Sequence, residues 1–383
     1  MATVVKNIGQ LLTGDINNPL SDADSIIIED GKIKEVGKGL SEKDGDKVID
    51  AMGAAVGPGL FDTHSHVTIG DYAHRQYAYD FIVGELHGGV TTMISAGECH
   101  LPGRPTDAAG TKALAILAHK SFEKLRPGGV KVVGGSVILE KGLTEADFKE
   151  MSEQGVWTVG EIGLGSVKDP ADAAPMVEWA HKYGFKVQMH TGGTSIPGSS
   201  TVTAAQVMAT KPDVISHING GPTAIPIEEV NKLMDETEFA MEIVQCGNFF
   251  IADHVVKRAK EKGKLDRIIF GNDAPSGTGL IPLGILRNIC YAASMSGVSG
   301  AEAYAMGSGN SAKVYGLNRG IIEPGREADL VFMDAPMGSV GDTAAAAFEC
   351  GDIPGLSIVM IDGEVKIAKS KNTPPAKRIA KVL

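Results

Sequence analysis

A chain of 383 residues with 43% hydrophobic and 22% charged residues has the composition of a folded protein, long enough for one large domain and a smaller companion. Its formal charge of −11 argues against nucleic acid or an acidic membrane surface as partner, since both select basic patches. The four cysteines, Cys99, Cys246, Cys290 and Cys350, contain no CxxC pair and read as free thiols of a reducing compartment. No apolar run reaches the roughly 18 residues that cross a bilayer. Lys6, Asn7, Gly9 and Gln10 interrupt the early apolar pairs, unlike a secretion signal. A cytoplasmic location is expected.

The first sixty residues read as strands and turns. Ser25–Glu29, the Asp30-Gly31 turn and residues 32–36 make a hairpin of the DG type. The last sixty repeat the pattern: an apolar strand over 329–334, then 358–362, Gly363 and 364–368. Residues 1–57 and 318–383 are therefore expected to form one small β-domain, sandwich-like and composed of both termini.

Between residues 58 and 317 the pattern changes. After the run ending at Phe61, short apolar stretches recur at 89–94, 130–133, 156–161, 185–190, 213–217, 239–244 and 267–272. Amphipathic segments lie between and after them, as at 171–183, 252–262 and 284–296. Alternating β and α units imply a parallel sheet, and about 260 residues is the usual size of a (β/α)8 TIM barrel. A doubly wound open sheet would call for a nucleotide fingerprint, and neither GxGxxG in a βα turn nor GxxxxGK[ST] occurs.

The candidate chemistry begins at Phe61-Asp62-Thr63-His64-Ser65-His66. Alternate residues of a strand face one side, so His64 and His66 can bind one metal through neutral imidazole nitrogens. Glu161, His190, His217 and Asp273 each fall at the C-terminal end of a predicted strand. From His64 to Glu161 is about three repeats of roughly 31 residues, then one to His190, one to His217 and two to Asp273. Five strand ends in phase, at the end where barrel active sites are built, point to metal binding. His74, His87, His119, His181 and His254 fall on helices or after strand one and read as structural. Cys290, Tyr291 and Met295 of the last helix read as core.

The phrases Pro58-Gly-Leu-Phe-Asp-Thr-His-Ser-His66 and Ile322-Glu-Pro-Gly-Arg-Glu-Ala-Asp-Leu-Val331 are similar to those of hydantoinases, dihydroorotases and related cyclic amidases. The whole chain resembles the amidohydrolase superfamily. That resemblance implies two divalent metal ions, zinc and/or iron, with manganese or cobalt also compatible with the ligands. His64, His66 and Asp273 would hold the first and His190 and His217 the second. Many cyclic amidases bridge the pair with a carboxylated lysine, whereas this chain has Glu161 there. Lys168, seven residues on, lies beyond the strand end.

The reaction so implied is hydrolysis of the C–N bond of a small anionic cyclic amide by a metal-activated water, with Asp273 as proton carrier. His100, Arg104, Thr194, Gln245 and Ser276 sit on loops at the correct barrel end to contact such a substrate. Hydantoins, dihydroorotate, isoaspartyl dipeptides and aminated heterocycles are rival substrates. A non-catalytic scaffold is the rival class, against which all six ligand positions are filled. A homo-oligomer, specifically a homotetramer, is expected by resemblance.

Overall fold

The structure, a computed structural model, describes residues 2–67, 78–98, 101, 103–194, 201–221, 223–274, 281 and 283–383. Eight parallel strands occupy the middle of the chain: β1 (Leu60–Ser65), β2 (Val90–Ser95), β3 (Lys131–Val133), β4 (Thr158–Ile162), β5 (Lys186–Met189), β6 (Val214–Ile215), β7 (Ala240–Val244) and β8 (Ile268–Gly271). They pair in sequential order within β1–β3 and within β4–β8. A parallel bridge between Val137 and Val159 joins the two sets, and another between Ser65 and Ala274 returns β8 to β1. The ring is closed, as the (β/α)8 reading requires, and all eight expected strands are present.

Helices cover the outside: α1 (Ala78–Leu86), α2 (Ala108–Lys124), α3 (Glu145–Glu153), α4 (Pro170–Lys182), α5 (Ala204–Thr210), α6 (Ile227–Glu236), α7 (Phe249–Glu261) and α8 (Gly284–Met295). With helices on one face and barrel interior on the other, strands such as Ala240–Val244 are buried at every residue, which is why they read as unbroken apolar runs. Local chemistry sets the helix starts. The Asp107 and Asp169 side chains accept from the first-turn amides of Gly110 and Ala171, and Pro170 opens α4. α7 starts three residues before the sequence pattern suggested because the Asn248 side chain accepts from the Ile251 amide. One core assignment fails. Cys290 is buried, but Met295, the last residue of α8, is 58% exposed, on the outward side of the helix beside exposed Ser294.

Strands from both ends of the chain build two outer sheets. One runs Lys381–Val382, Lys47–Asp50, Thr3–Lys6, Ser25–Glu29, Lys32–Gly37. The other runs Glu364–Ile367, Gly355–Ile361, Leu330–Asp334, Ala55–Pro58, Gln10–Leu12, Leu20–Ser21. Val5, Ile26, Ile33, Phe332 and Ile358 share the core between them. Both DG turns have positive φ at both positions, 49° and 74° at Asp30-Gly31 and 53° and 73° at Asp362-Gly363, the type I′ geometry that matches strand twist. They meet through Ala328, whose amide donates to the Gly31 carbonyl and whose carbonyl accepts from the Gly363 amide. Lys131 of β3 reaches into this region, with Nζ 2.9 Å from Asp329 and 2.7 Å from Asp362. Among the described residues no helix is long and apolar enough to cross a membrane.

Candidate metal centre

The barrel ladder continues past its strand ends, and those extra bonds carry the candidate ligands. The Glu161 amide donates to the Ala96 carbonyl and His190 to Ile162. At the β8–β1 seam the Asp273 amide donates to the His64 carbonyl at 2.9 Å, and His66 donates to Ala274 at 2.8 Å. Two candidates leave the strand geometry: His217 has φ of 32° and Asp273 of 56°, a region that L side chains adopt only where surroundings hold them. At Gly271 an added Cβ would lie 2.6 Å from that of His64, so only glycine lets β8 approach β1 this closely.

Six side chains predicted from spacing converge on one point. Glu161 lies at the middle: Oε1 is 2.6 Å from His217 Nε2 and 3.4 Å from His190 Nδ1, and Oε2 is 3.4 Å from His64 Nε2 and 3.8 Å from His66 Nε2. Asp273 Oδ1 is 3.1 Å from His66 Nε2 and 3.7 Å from His64 Nε2. His64, Glu161 and His217 form one compact ligand group, and His64, His66 and Asp273 a second. Glu161 thus has one oxygen toward each group. Lys168 is exposed.

The donor set fits divalent cations. His64 Nε2 and His190 Nδ1 are buried, aim at Glu161 and make no hydrogen bond, whereas a metal would use both lone pairs. Burial alone would raise the Glu161 carboxyl, yet the imidazoles of His64 and His217 hold it well below the usual carboxylate range. Burial likewise opposes charge on His64, but Glu161 and Glu242 lift its pKa well above the ordinary value. Asp273 is held low against burial, first by its hydrogen bond with His66. A cation held by these groups would neutralise the carboxylates and bind the imidazoles in their neutral form.

The remaining predicted residues are more scattered. Arg104 is half-buried and donates from Nη1 to Glu140 Oε1 at 2.7 Å, so its charge is already matched. Thr194 is exposed, with its amide 3.2 Å from Thr201 Oγ1. Gln245 is half-buried at the end of β7 and lines a cleft with Phe249 and Tyr291. His100 and Ser276, with His74, lie outside the described residues. His87, His181 and His254 have partners away from the centre: the Lys371 amide, Asp213 and Asn231. His119 lies 3.7 Å from Glu123.

Three nearby residues were not singled out by sequence reasoning. Glu242, fully buried in β7, accepts from His64 Nδ1 at 2.7 Å. Cys246 has Sγ 3.2 Å from Asp273 Oδ2. Asp62 accepts the backbone amides of His64 and Asn272 at 3.1 and 3.0 Å. Glu242 and Asp62 carried a signal: a carboxylate inside an otherwise buried strand must have partners.

Comparison with known proteins agrees with this architecture. The model of the Amidohydrolase family matches residues 55–366. The chain is 66% identical over 383 residues to the enamidase of Eubacterium barkeri, covering 100% of this chain and 99% of that protein. A crystal structure of enamidase, described as a new member of the amidohydrolase superfamily, superposes with a TM-score of 0.98 at 65% identity, over 100% of both chains. A β-aspartyl dipeptidase from Fervidobacterium islandicum AW-1, solved with β-Asp-Leu, gives 0.66 at 18% identity over 97% of both chains, a likeness of fold alone. With a closed barrel, a histidine- and carboxylate-lined mouth and a family match across most of its length, this chain belongs to the amidohydrolase family.

Proposed function

We propose that the chain is an enamidase, a binuclear metal-dependent hydrolase that opens 6-oxo-1,4,5,6-tetrahydronicotinate and yields 2-formylglutarate and ammonia. The observation that carries the reading is the full-length 66% identity to an enamidase, supported by the six ligand-type side chains around Glu161. His64, His66 and Asp273 would hold one divalent ion, His190 and His217 the other, with Glu161 shared. Zinc and iron suit these ligands best, and manganese or cobalt are compatible. When bound, such ions polarise a lactam carbonyl and acidify a water.

The protein's own groups supply proton movement and orientation. Asp273, partly exposed at the mouth, takes a proton from the attacking water and delivers it to the ring nitrogen as the C–N bond breaks. Ring opening leaves an enamine. Protonation at carbon gives an imine, and addition of a second water releases ammonia and the aldehyde. Asp273 is also the proton carrier placed for this second stage. The barrel of residues 58–317 carries the chemistry and the β-domain of 1–57 and 318–383 braces it. The enzyme is cytoplasmic and works as a homotetramer.

The test is a substrate panel of the tetrahydronicotinate lactam, a hydantoin, an isoaspartyl dipeptide and an aminated heterocycle, followed by ammonia release. Ammonia with an aldehyde from the lactam is the expected result. Silence on the lactam with turnover of another compound overturns the enamidase assignment.

A further inference from the structure

Glu242 is a carboxylate with no accessible surface, set between Met241 and Ile243 in β7. Burying a charge there is costly unless donors surround it. Three do. His64 Nδ1 lies 2.7 Å from Oε2, the Thr63 hydroxyl donates to Oε1, and the His217 amide donates to Oε2 at 3.3 Å. Thr63 and His64 belong to β1, whereas His217 follows β6, so one carboxylate spans the barrel interior between the two candidate ligand groups.

The arrangement around His64 is asymmetric. Its Nδ1 is engaged by Glu242, while its Nε2 is buried, makes no hydrogen bond and points toward Glu161 and Asp273. A carboxylate at Nδ1 holds the proton on that nitrogen and leaves the Nε2 lone pair for a metal. Gly271 keeps the contact possible, since an added Cβ would stand 3.3 Å from Glu242 Oε1 as well as against His64.

We infer that Glu242 is a positioning residue of the metal centre, which fixes the His64 tautomer and ties the backbone of His217 to the same carboxylate, so that both ligand groups depend on one side chain. The inference rests on the metal-centre reading and is independent of which amide is hydrolysed.

The experiment is chelator competition on the purified full chain loaded with zinc, comparing Glu242→Gln, Glu242→Ala and Thr63→Val. Glu242→Gln keeps the shape and a neutral acceptor. It is expected to weaken zinc binding about tenfold, and Glu242→Ala about a hundredfold, the range for carboxylates behind a metal-bound histidine. Thr63→Val, which leaves His64 Nδ1 engaged, changes affinity less than either. The visible spectrum of the cobalt-loaded protein shifts in Glu242→Gln while its thermal midpoint without metal stays near the parent's. Wild-type zinc affinity and cobalt spectrum in Glu242→Gln would overturn the inference, whether Glu242→Ala folds or not. Failure of lactam turnover leaves this readout intact, whereas a parent chain that binds no zinc removes the metal-centre reading itself.

Discussion

Cys246 places its Sγ 3.2 Å from Oδ2 of Asp273, the carboxylate oxygen opposite the one that faces His66. Burial first, then the charge of Asp273, pushes the Cys246 thiol well above its usual range, so it stays protonated and donates. Removing that donor in Cys246→Ala is expected to lower kcat roughly three- to tenfold, about 0.7–1.4 kcal/mol, the net worth of one ordinary hydrogen bond, since a thiol is a weak donor even to a charged acceptor. Cys246→Ser is expected to restore most of it. Equal kcat in Ala and Ser variants would show that the contact does not orient Asp273.

The same burial predicts a labelling pattern. Cys290 is pushed up to about 12 by burial, and Cys246 is raised too, whereas Cys350 is exposed. Because the thiolate is the nucleophile, brief alkylation of the native protein at pH 8 should mark Cys350 and spare Cys246 and Cys290. Peptide mass spectrometry reads this directly, and rapid modification of Cys246 would contradict the geometry.

Glu161→Ala removes the carboxylate placed between the two ligand groups. Metal analysis should fall from two equivalents to one or fewer, with activity lower by at least about a hundredfold. Retention of two tightly bound ions would mean that another group bridges them.

Asp62 and Glu85 share the side-chain amide of Asn272, at 3.1 and 3.0 Å, beneath the β1–β8 seam. Burial pushes the Asp62 carboxyl up to about 6, and burial with the charge of Asp62 lifts Glu85 well above its usual value. An acid whose folded pKa is raised binds more protons folded than unfolded. Its contribution is therefore most favourable below about pH 4 and is lost as pH climbs through about 6 and beyond. Glu85→Gln, which keeps an acceptor for Asn272 without charge, is expected to raise the thermal midpoint by roughly 2–4 °C at pH 7.5. It should leave the midpoint almost unchanged at pH 4. A drop at pH 7.5 would show that the charge is stabilised by groups other than those described.

Lys131 neutralises a crowded set of carboxylates where the barrel meets the outer sheets, with Nζ within 2.9 Å of both oxygens of the buried Asp329. Lys131→Met leaves Glu327, Asp329 and Asp362 together without that cation. Breaking a buried pair by removing one partner typically costs about 3–5 kcal/mol. Urea denaturation should show a matching loss, and a change below about 1 kcal/mol would mean that Arg126 and Arg319 suffice.

Much of this fold was legible because parallel strands buried on both faces leave unmistakable apolar runs, as at Ile268–Gly271, and turn chemistry such as Asp30-Gly31 marks hairpins locally. The positions of Glu161, His190, His217 and Asp273 followed from repeat length. What lay beyond reach depends on contacts distant in sequence. Nothing near Glu242 announces Thr63 and His64, 179 and 178 residues away. Arg104 looked free for an anion because its partner Glu140 sits on the next βα loop. The positive φ at His217 and Asp273 occurs at non-glycine residues, where no local propensity announces it.

The seam between β8 and β1 joins residues at opposite ends of the barrel sequence: Asp273 to His64, and His66 to Ala274. Pairings so distant in the chain are slow to form, because a long loop must close before they return any energy. An ion held by His64, His66 and Asp273 would therefore act as a clasp on a join between opposite ends of the barrel sequence. It would engage only once the ring had shut, and it would resist the first step by which the ring reopens.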